Sequence, residues 1–175
     1  YQPEDWAEKI QNVVNGLGLV GMYKVTLEDS ADQIGRCLRE MTQAGSLPVL
    51  LHCTSGKDRT GMLCALILHL CGFSDDDIVK DYHITELYVS KLFATDVVKT
   101  VGNFVGEHMR RAPKPVMYEI LSYIRSKYGT IPAYLAEQAK FSLEEQARLV
   151  EMLQCETVAD GAGGRDGVKS MTGKL

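Results

Sequence analysis

The stretch His52-Cys53-Thr54-Ser55-Gly56-Lys57-Asp58-Arg59-Thr60-Gly61 decides how this chain is read. Just before it, Pro48 precedes the short apolar run Val49-Leu50-Leu51-His52, which predicts a buried strand. Just after it, Thr60 to Leu70 is apolar nearly all round, as a buried helix is. A strand, a tight polar loop and a helix in this order deliver Cys53 to a sheet's carboxyl edge. They also point the loop's backbone N–H groups and those of the first helical turn into one concavity, an anion nest. Gly56 lets the backbone turn there and approach an anion closely.

A thiol at the base of such a nest feels its field. A free cysteine titrates near pH 8.5, and helix N-termini and nearby cations lower that by several units. A shift of about two units, at about 1.4 kcal/mol each, makes the thiolate dominant at neutral pH. Arg59 stands six positions on, where its planar fork can take two oxygens of a phosphate. A nucleophile beneath an oxyanion cradle, closed by a bidentate cation, suits phosphoryl transfer through a cysteinyl-phosphate, with no metal and no cofactor. Two competing readings fail. A nucleotide-binding loop needs glycine where Leu51 stands and Ser or Thr where Asp58 follows Lys57. A zinc site built on His52 and Cys53 would need adjacent strand residues to share a face.

The rest of the chain sets the boundaries. Its 175 residues suit one domain, and 45% hydrophobic residues supply a packed core. A net charge of −4 and a pI near 5.6 argue against a nucleic-acid partner; Arg110, Arg111 and Lys114 form the one tight basic cluster. The most apolar run, Met62 to Phe73, falls short of the roughly 20 residues of a membrane span, so no stable membrane insertion is expected. There is no secretory pattern at the start. The cysteines Cys37, Cys53, Cys64, Cys71 and Cys155 are odd in number with no C-x2-C pair, which points to a reducing, cytoplasmic setting. Cys37, Cys64 and Cys71 lie in apolar helical patterns and are expected to be buried.

Outward from the loop, residues 3–15 read as a helix ended by Asn15-Gly16, and residues 19–27 as a short strand around Tyr23 to Leu27. Ser30-x-x-Gln33 reads as a capping box for a helix through Ile34, Cys37, Leu38 and Met41, stopped near Gly45. Ser74 with three aspartates opens another helix, and the chain stays helical from Tyr82 to Met109 with interruptions at Gly102 and Gly106. Pro113 and Pro115 break it. Further helices follow at Val116 to Tyr128 and at Thr130 to Lys140. A last one, opened by the capping box Ser142-x-x-Glu145, runs to about Gln154. Residues 1–155 form the predicted domain; 156–175 read as a disordered glycine-rich tail.

The loop resembles the C-x5-R-[ST] signature of the cysteine-dependent protein tyrosine phosphatase superfamily, carried here by Cys53, Arg59 and Thr60. In its fuller form, HCTSGKDRTG, it is similar to the atypical bacterial, fungal and protozoan tyrosine phosphatases, some of which also act on phosphoinositides. Asp81-Tyr82-His83-Ile84-Thr85-Glu86 and the segment from Tyr128-Gly129 through Tyr134-Leu135 resemble later helices of that family. The resemblance implies an α/β, protein-tyrosine-phosphatase-like fold with a short, incomplete sheet and a predominantly helical C-terminal half. It implies hydrolysis of phosphotyrosine, with phosphoserine, phosphothreonine or phosphoinositides as further substrates, and an oxidation-sensitive Cys53.

The resemblance also assigns roles. Cys53 is the nucleophile, Arg59 binds phosphate and stabilises the transition state, and Thr60 hydrogen-bonds the sulfur. His52 orients the loop and depresses the thiol pKa, or is a strand-end histidine bonded to backbone. The amides of Thr54, Ser55, Gly56, Lys57, Asp58 and Arg59 line the nest. No W-P-D sequence stands some thirty residues before Cys53. The general acid is therefore Asp58, by the family's placement of an aspartate there, or else Asp29 or Asp32, which also suit a helix start. The other reading of Asp58 is an ion pair with Lys57 or a distant arginine. Lys57 is expected at the rim, where lipid-phosphatase-like members hold extra phosphates. Further strands and an Asp-Leu-Arg element, usual upstream in the family, are not found in residues 1–51, so the resemblance leads one to expect an N-terminally truncated member. The rival reading is a phosphate-binding pseudophosphatase or scaffold without turnover.

Overall fold

The structure is a computed structural model that describes residues 3–92 and 111–154, with side chains over 16–88 and 111–153. In chain order the helices are α1 (Pro3–Asp29), α2 (Ala31–Met41), α3 (Asp58–Leu70), α4 (Asp75–Leu92), α5 (Lys114–Tyr128), α6 (Ile131–Glu137) and α7 (Leu143–Gln154). No strand forms among the described residues, so the expected α/β sheet is replaced by a helical assembly.

Each predicted strand fails for its own reason. The segment around Tyr23 to Leu27 lies in the second half of α1, which bends at Gly18, where φ is +65°, rather than ending at Asn15-Gly16. Leu19, Tyr23 and Leu27 are buried at a spacing of four while Val25 is 44% exposed, so the period that buries apolar groups is helical and not two. The run Val49–His52 is irregular and lacks a partner. Residues 47–56 make no backbone–backbone hydrogen bond among the described residues, and Leu50 is 69% exposed. A strand is defined by its neighbour, and apolar composition alone does not supply one.

The core is built around α5, whose Val116, Met117, Ile120, Leu121 and Ile124 are buried against α1, α4 and α6. The Tyr134 hydroxyl, buried on α6, donates to the Leu27 carbonyl at 2.7 Å and ties the end of α1 into this core. Gly35 brings α2 against the segment after α6 so closely that a Cβ would lie 1.7 Å from the Ala139 carbonyl oxygen. Arg125 forks onto both oxygens of Asp75 at 2.6 Å, joining α5 to the start of α4. The acidic opening of α4 is thereby used structurally.

Some local expectations change and one holds. Ser30 makes no side-chain cap, because α1 runs to Asp29 and the Ser30 N–H already bonds the Thr26 carbonyl. The Ser142–Glu145 box does form, with reciprocal bonds of 2.7 and 3.2 Å. Cys37 on α2 is exposed rather than buried, and Cys64 and Cys71 are partly buried. Helix α3 buries Met62, Ala65 and Leu66, while Leu63, Ile67, Leu68 and Leu70 are only partly covered, so its apolar circumference exceeds its cover. No helix among the described residues is long and apolar enough to cross a membrane. Gly102, Gly106, Cys155 and the predicted tail 156–175 lie outside the described residues.

Candidate active site

The loop between the unpaired segment and α3 turns at Gly56, whose φ of +64° is the left-handed conformation that favours glycine. The turn aims amides at Cys53. Burial pushes this thiol up, but the Thr60 hydroxyl and the amides of Thr60, Ser55 and Gly56 outweigh it, and its pKa falls to about 7 from an ordinary 9.0. Each of those donors gains from a negative sulfur and little from a neutral one. Thr60 Oγ1 is buried and has no hydrogen-bond partner among the described residues, so its proton is unspent.

Arg59 is exposed and donates from Nη2 to Thr54 Oγ1 at 3.1 Å, which folds its guanidinium back over the loop. With Cys53, Thr60 and His52 it borders a cavity of about 570 Å³ whose apolar wall includes Leu50 and Leu51. His52 is exposed, and its Nδ1 lies 3.4 Å from the Cys53 carbonyl oxygen. It is not among the groups that move the thiol's pKa. Its contact is with backbone, in a segment that forms no strand. From the end of α1 and from α2 the cavity takes Thr26, Ser30, Gln33, Ile34 and Cys37, but neither Asp29 nor Asp32.

Lys57 turns inward, and Asp58 beside it stays partly exposed. Lys57 is 2% exposed and does not stand at the rim as expected. Its ammonium donates to Asp58 Oδ1 at 2.6 Å and to the Arg111 carbonyl at 3.1 Å, because a buried cation must be paired. Asp58 Oδ1 also accepts from the Tyr23 hydroxyl at 2.6 Å, and the Tyr23 and Tyr82 hydroxyls lie 2.9 Å apart. The two rings meet edge to face. Gly61 makes room for this: a Cβ there would lie 3.0 Å from the Tyr82 ring. The last glycine of the ten-residue stretch thus serves packing, and the aspartate before Arg59 is anchored to α1 and α4.

Sequence reasoning missed Tyr23, and it noted Tyr82 only within a family-like segment. A polar tip on a residue at a helical core position was the available signal, and it does not say which partner the tip meets.

A thiol with its pKa drawn down to about 7, sharing a cavity with an exposed guanidinium, is the arrangement of a cysteine-dependent, phosphatase-like class of protein. A model of the tyrosine phosphatase family matches residues 6–154, and the chain belongs to that family. It is similar to the triple specificity protein phosphatase PtpB of Mycobacterium tuberculosis, 32% identical over 110 residues that cover 54% of this chain and 40% of that protein. It is also similar to a tyrosine-protein phosphatase of Nostoc commune, 49% identical over 67 residues that cover 38% of this chain and 23% of the relative. The matches therefore span less than half the length of either relative.

Proposed function

We propose that this chain carries the catalytic loop of a metal-independent phosphatase whose leading substrate is phosphotyrosine. The Cys53 thiolate attacks phosphorus in line, and the S–P bond forms as the ester P–O bond breaks. Asp58 gives its proton to the leaving oxygen. Water then attacks the cysteinyl phosphate, releasing inorganic phosphate and the thiolate. Arg59 and the loop amides of Thr54 to Arg59 hold the equatorial oxygens through both steps, and Thr60 supports the sulfur as leaving group. The observation that carries the reading is that Cys53, Arg59 and Thr60 border one cavity, at the loop that turns on the positive φ of Gly56.

Phosphoserine and phosphothreonine need a stronger acid than an aryl ester does, so they rank below phosphotyrosine. Phosphoinositides rank lower still, because the loop's lysine is spent on Asp58 rather than offered to a second phosphate. The relative named for triple specificity supports a broad substrate range.

The test is hydrolysis of p-nitrophenyl phosphate with chelator present, beside Cys53→Ser and Arg59→Lys. Turnover should fall to background in Cys53→Ser. It should fall by about 10² to 10³ in Arg59→Lys, whose point charge cannot take two oxygens. Turnover that survives in Cys53→Ser, or that chelator abolishes, would overturn the mechanism. Vanadate binding that needs Arg59 without any turnover would replace it with a phosphate-binding module.

A further inference from the structure

We infer that Tyr23 is a positioning residue for the acid step, fixing which oxygen of Asp58 is presented to the leaving group, with Tyr82 holding Tyr23 in turn. The inference rests on Asp58 being the general acid.

Tyr23 sits on α1, 35 residues before Asp58, and is fully buried. A tyrosine in that setting must place its hydroxyl proton somewhere. It places it on Asp58 Oδ1 at 2.6 Å, the same oxygen that accepts from Lys57 at 2.6 Å. A hydroxyl has a single proton, so the 2.9 Å bond between the tyrosines is donated by Tyr82 and accepted by Tyr23. The direction of the whole chain is set: Tyr82 to Tyr23 to Asp58. Burial, then the Asp58 charge, push the Tyr23 hydroxyl far above the usual phenol range, so it remains a donor.

The consequence lies in the other half of the carboxyl group. Oδ1 faces two donors, which leaves no room for a proton of its own. Oδ2 has no hydrogen bond among the described residues and is not a buried orphan, and the Asp58 side chain is 24% exposed. In the acid reading, a proton that Asp58 gives to the leaving oxygen is given from Oδ2, the oxygen that neither donor occupies. Removing the Tyr23 hydroxyl leaves Lys57 as the sole donor on Oδ1. Rotation about the Asp58 side chain is then freer, and the proton is offered on either oxygen. The effect on rate depends on how much the leaving group needs that proton.

The measurement is kcat/KM, which reports transfer to Cys53, across aryl phosphates running from dinitrophenyl to phenyl phosphate, for wild type, Asp58→Asn and Tyr23→Phe. Vanadate affinity is followed alongside. Asp58→Asn keeps an oxygen acceptor for Lys57 and Tyr23 but has no proton to give, so its losses should grow steeply toward phenyl phosphate. Tyr23→Phe should match wild type on dinitrophenyl phosphate and lose about tenfold on phenyl phosphate, a part of the 10² to 10⁴ that general acids supply. Its vanadate affinity should be unchanged. A flat Asp58→Asn profile would sink the acid assignment, and this inference with it. A steep Asp58→Asn profile beside a Tyr23→Phe profile parallel to wild type would overturn the inference alone, as would a uniform Tyr23→Phe loss with weakened vanadate binding. Should Tyr23→Phe not fold, Tyr82→Phe frees the Tyr23 hydroxyl without removing it. It should show the same trend at smaller size, and a uniform loss there would equally overturn the inference.

Discussion

On one flank of the loop, Lys57 and Asp58 run into α1 and α4 through hydrogen bonds among groups that water barely reaches. On the other, Cys53, His52 and Arg59 border an open cavity beside Val49 and Leu50, whose backbone makes no backbone hydrogen bond among the described residues and whose side chains are exposed. The two flanks are adjacent in sequence, and the difference lies in what packs against them. The core flank has a carboxylate, an ammonium and two phenols that satisfy one another. The cavity flank keeps a thiol, a hydroxyl and a guanidinium with donor capacity unspent. Stability and chemistry are therefore carried by different sides of the same few residues, and substitutions should sort accordingly.

The largest effect is expected on the core flank. Lys57→Met has the right length for the cavity its side chain leaves but strands Asp58 with Tyr23 alone and leaves the Arg111 carbonyl without its donor. Removing one partner of a buried pair costs about 3 to 5 kcal/mol, and the partial exposure of Asp58 places this case near the lower end. Urea unfolding should show a lower midpoint at an unchanged slope. A loss under about 1 kcal/mol would mean that this flank is held by packing of the tyrosine rings rather than by charge.

A middle-sized effect separates thiols on the two flanks. Cys53 has its pKa lowered to about 7, whereas burial and then the Asp81 charge push Cys64 on α3 up to about 11. At pH 7 about half of Cys53 and about one part in 10⁴ of Cys64 is thiolate, from those values. The more basic thiolate is also the stronger nucleophile, by about 10² over this gap, so the expected ratio of alkylation rates is about 10² rather than 10⁴. Cys53 lies below its ordinary pKa, so its reactivity should fall as pH drops through 7. Thr60→Val should move that midpoint upward, because it removes a donor that favours the anion. Cys37, exposed on α2, serves as an internal reference. Labelling that treats Cys53 and Cys37 alike at pH 6, or a midpoint indifferent to Thr60, would break the distinction.

What the sequence discloses follows the same division. The cavity flank was legible because its chemistry is local. Cys53, Gly56, Arg59 and Thr60 lie within eight consecutive residues, and a loop followed by a helix start is enough to bring them together. The core flank was not, because Tyr23 meets Asp58 across 35 residues and Tyr82 meets Tyr23 across 59. Helix ends were legible where breakers or caps stand, as at Tyr128-Gly129 and at Ser142. The strands were misread for two reasons. Leu19, Tyr23 and Leu27 carry a helical period that a β-rich composition conceals. Val49–His52 has strand composition, but a sheet is a property of two segments, and the described residues offer only one.

The smallest effect is expected where that unpartnered segment is most open. Leu50 is 69% exposed, and a leucine there contributes little by burial. Leu50→Lys should change unfolding free energy by no more than about 0.5 kcal/mol, as surface substitutions do. The added charge should also discourage edge pairing between copies, raising solubility at high concentration. The size of the change is informative because burial is graded. A fully covered leucine contributes about 1.5 to 3 kcal/mol, well separated from the surface value. A loss in that range that grows with protein concentration would show Leu50 covered by another copy in solution. A loss in that range independent of concentration would show it covered within the chain, and the contrast between an open and a packed flank would then fail at Leu50.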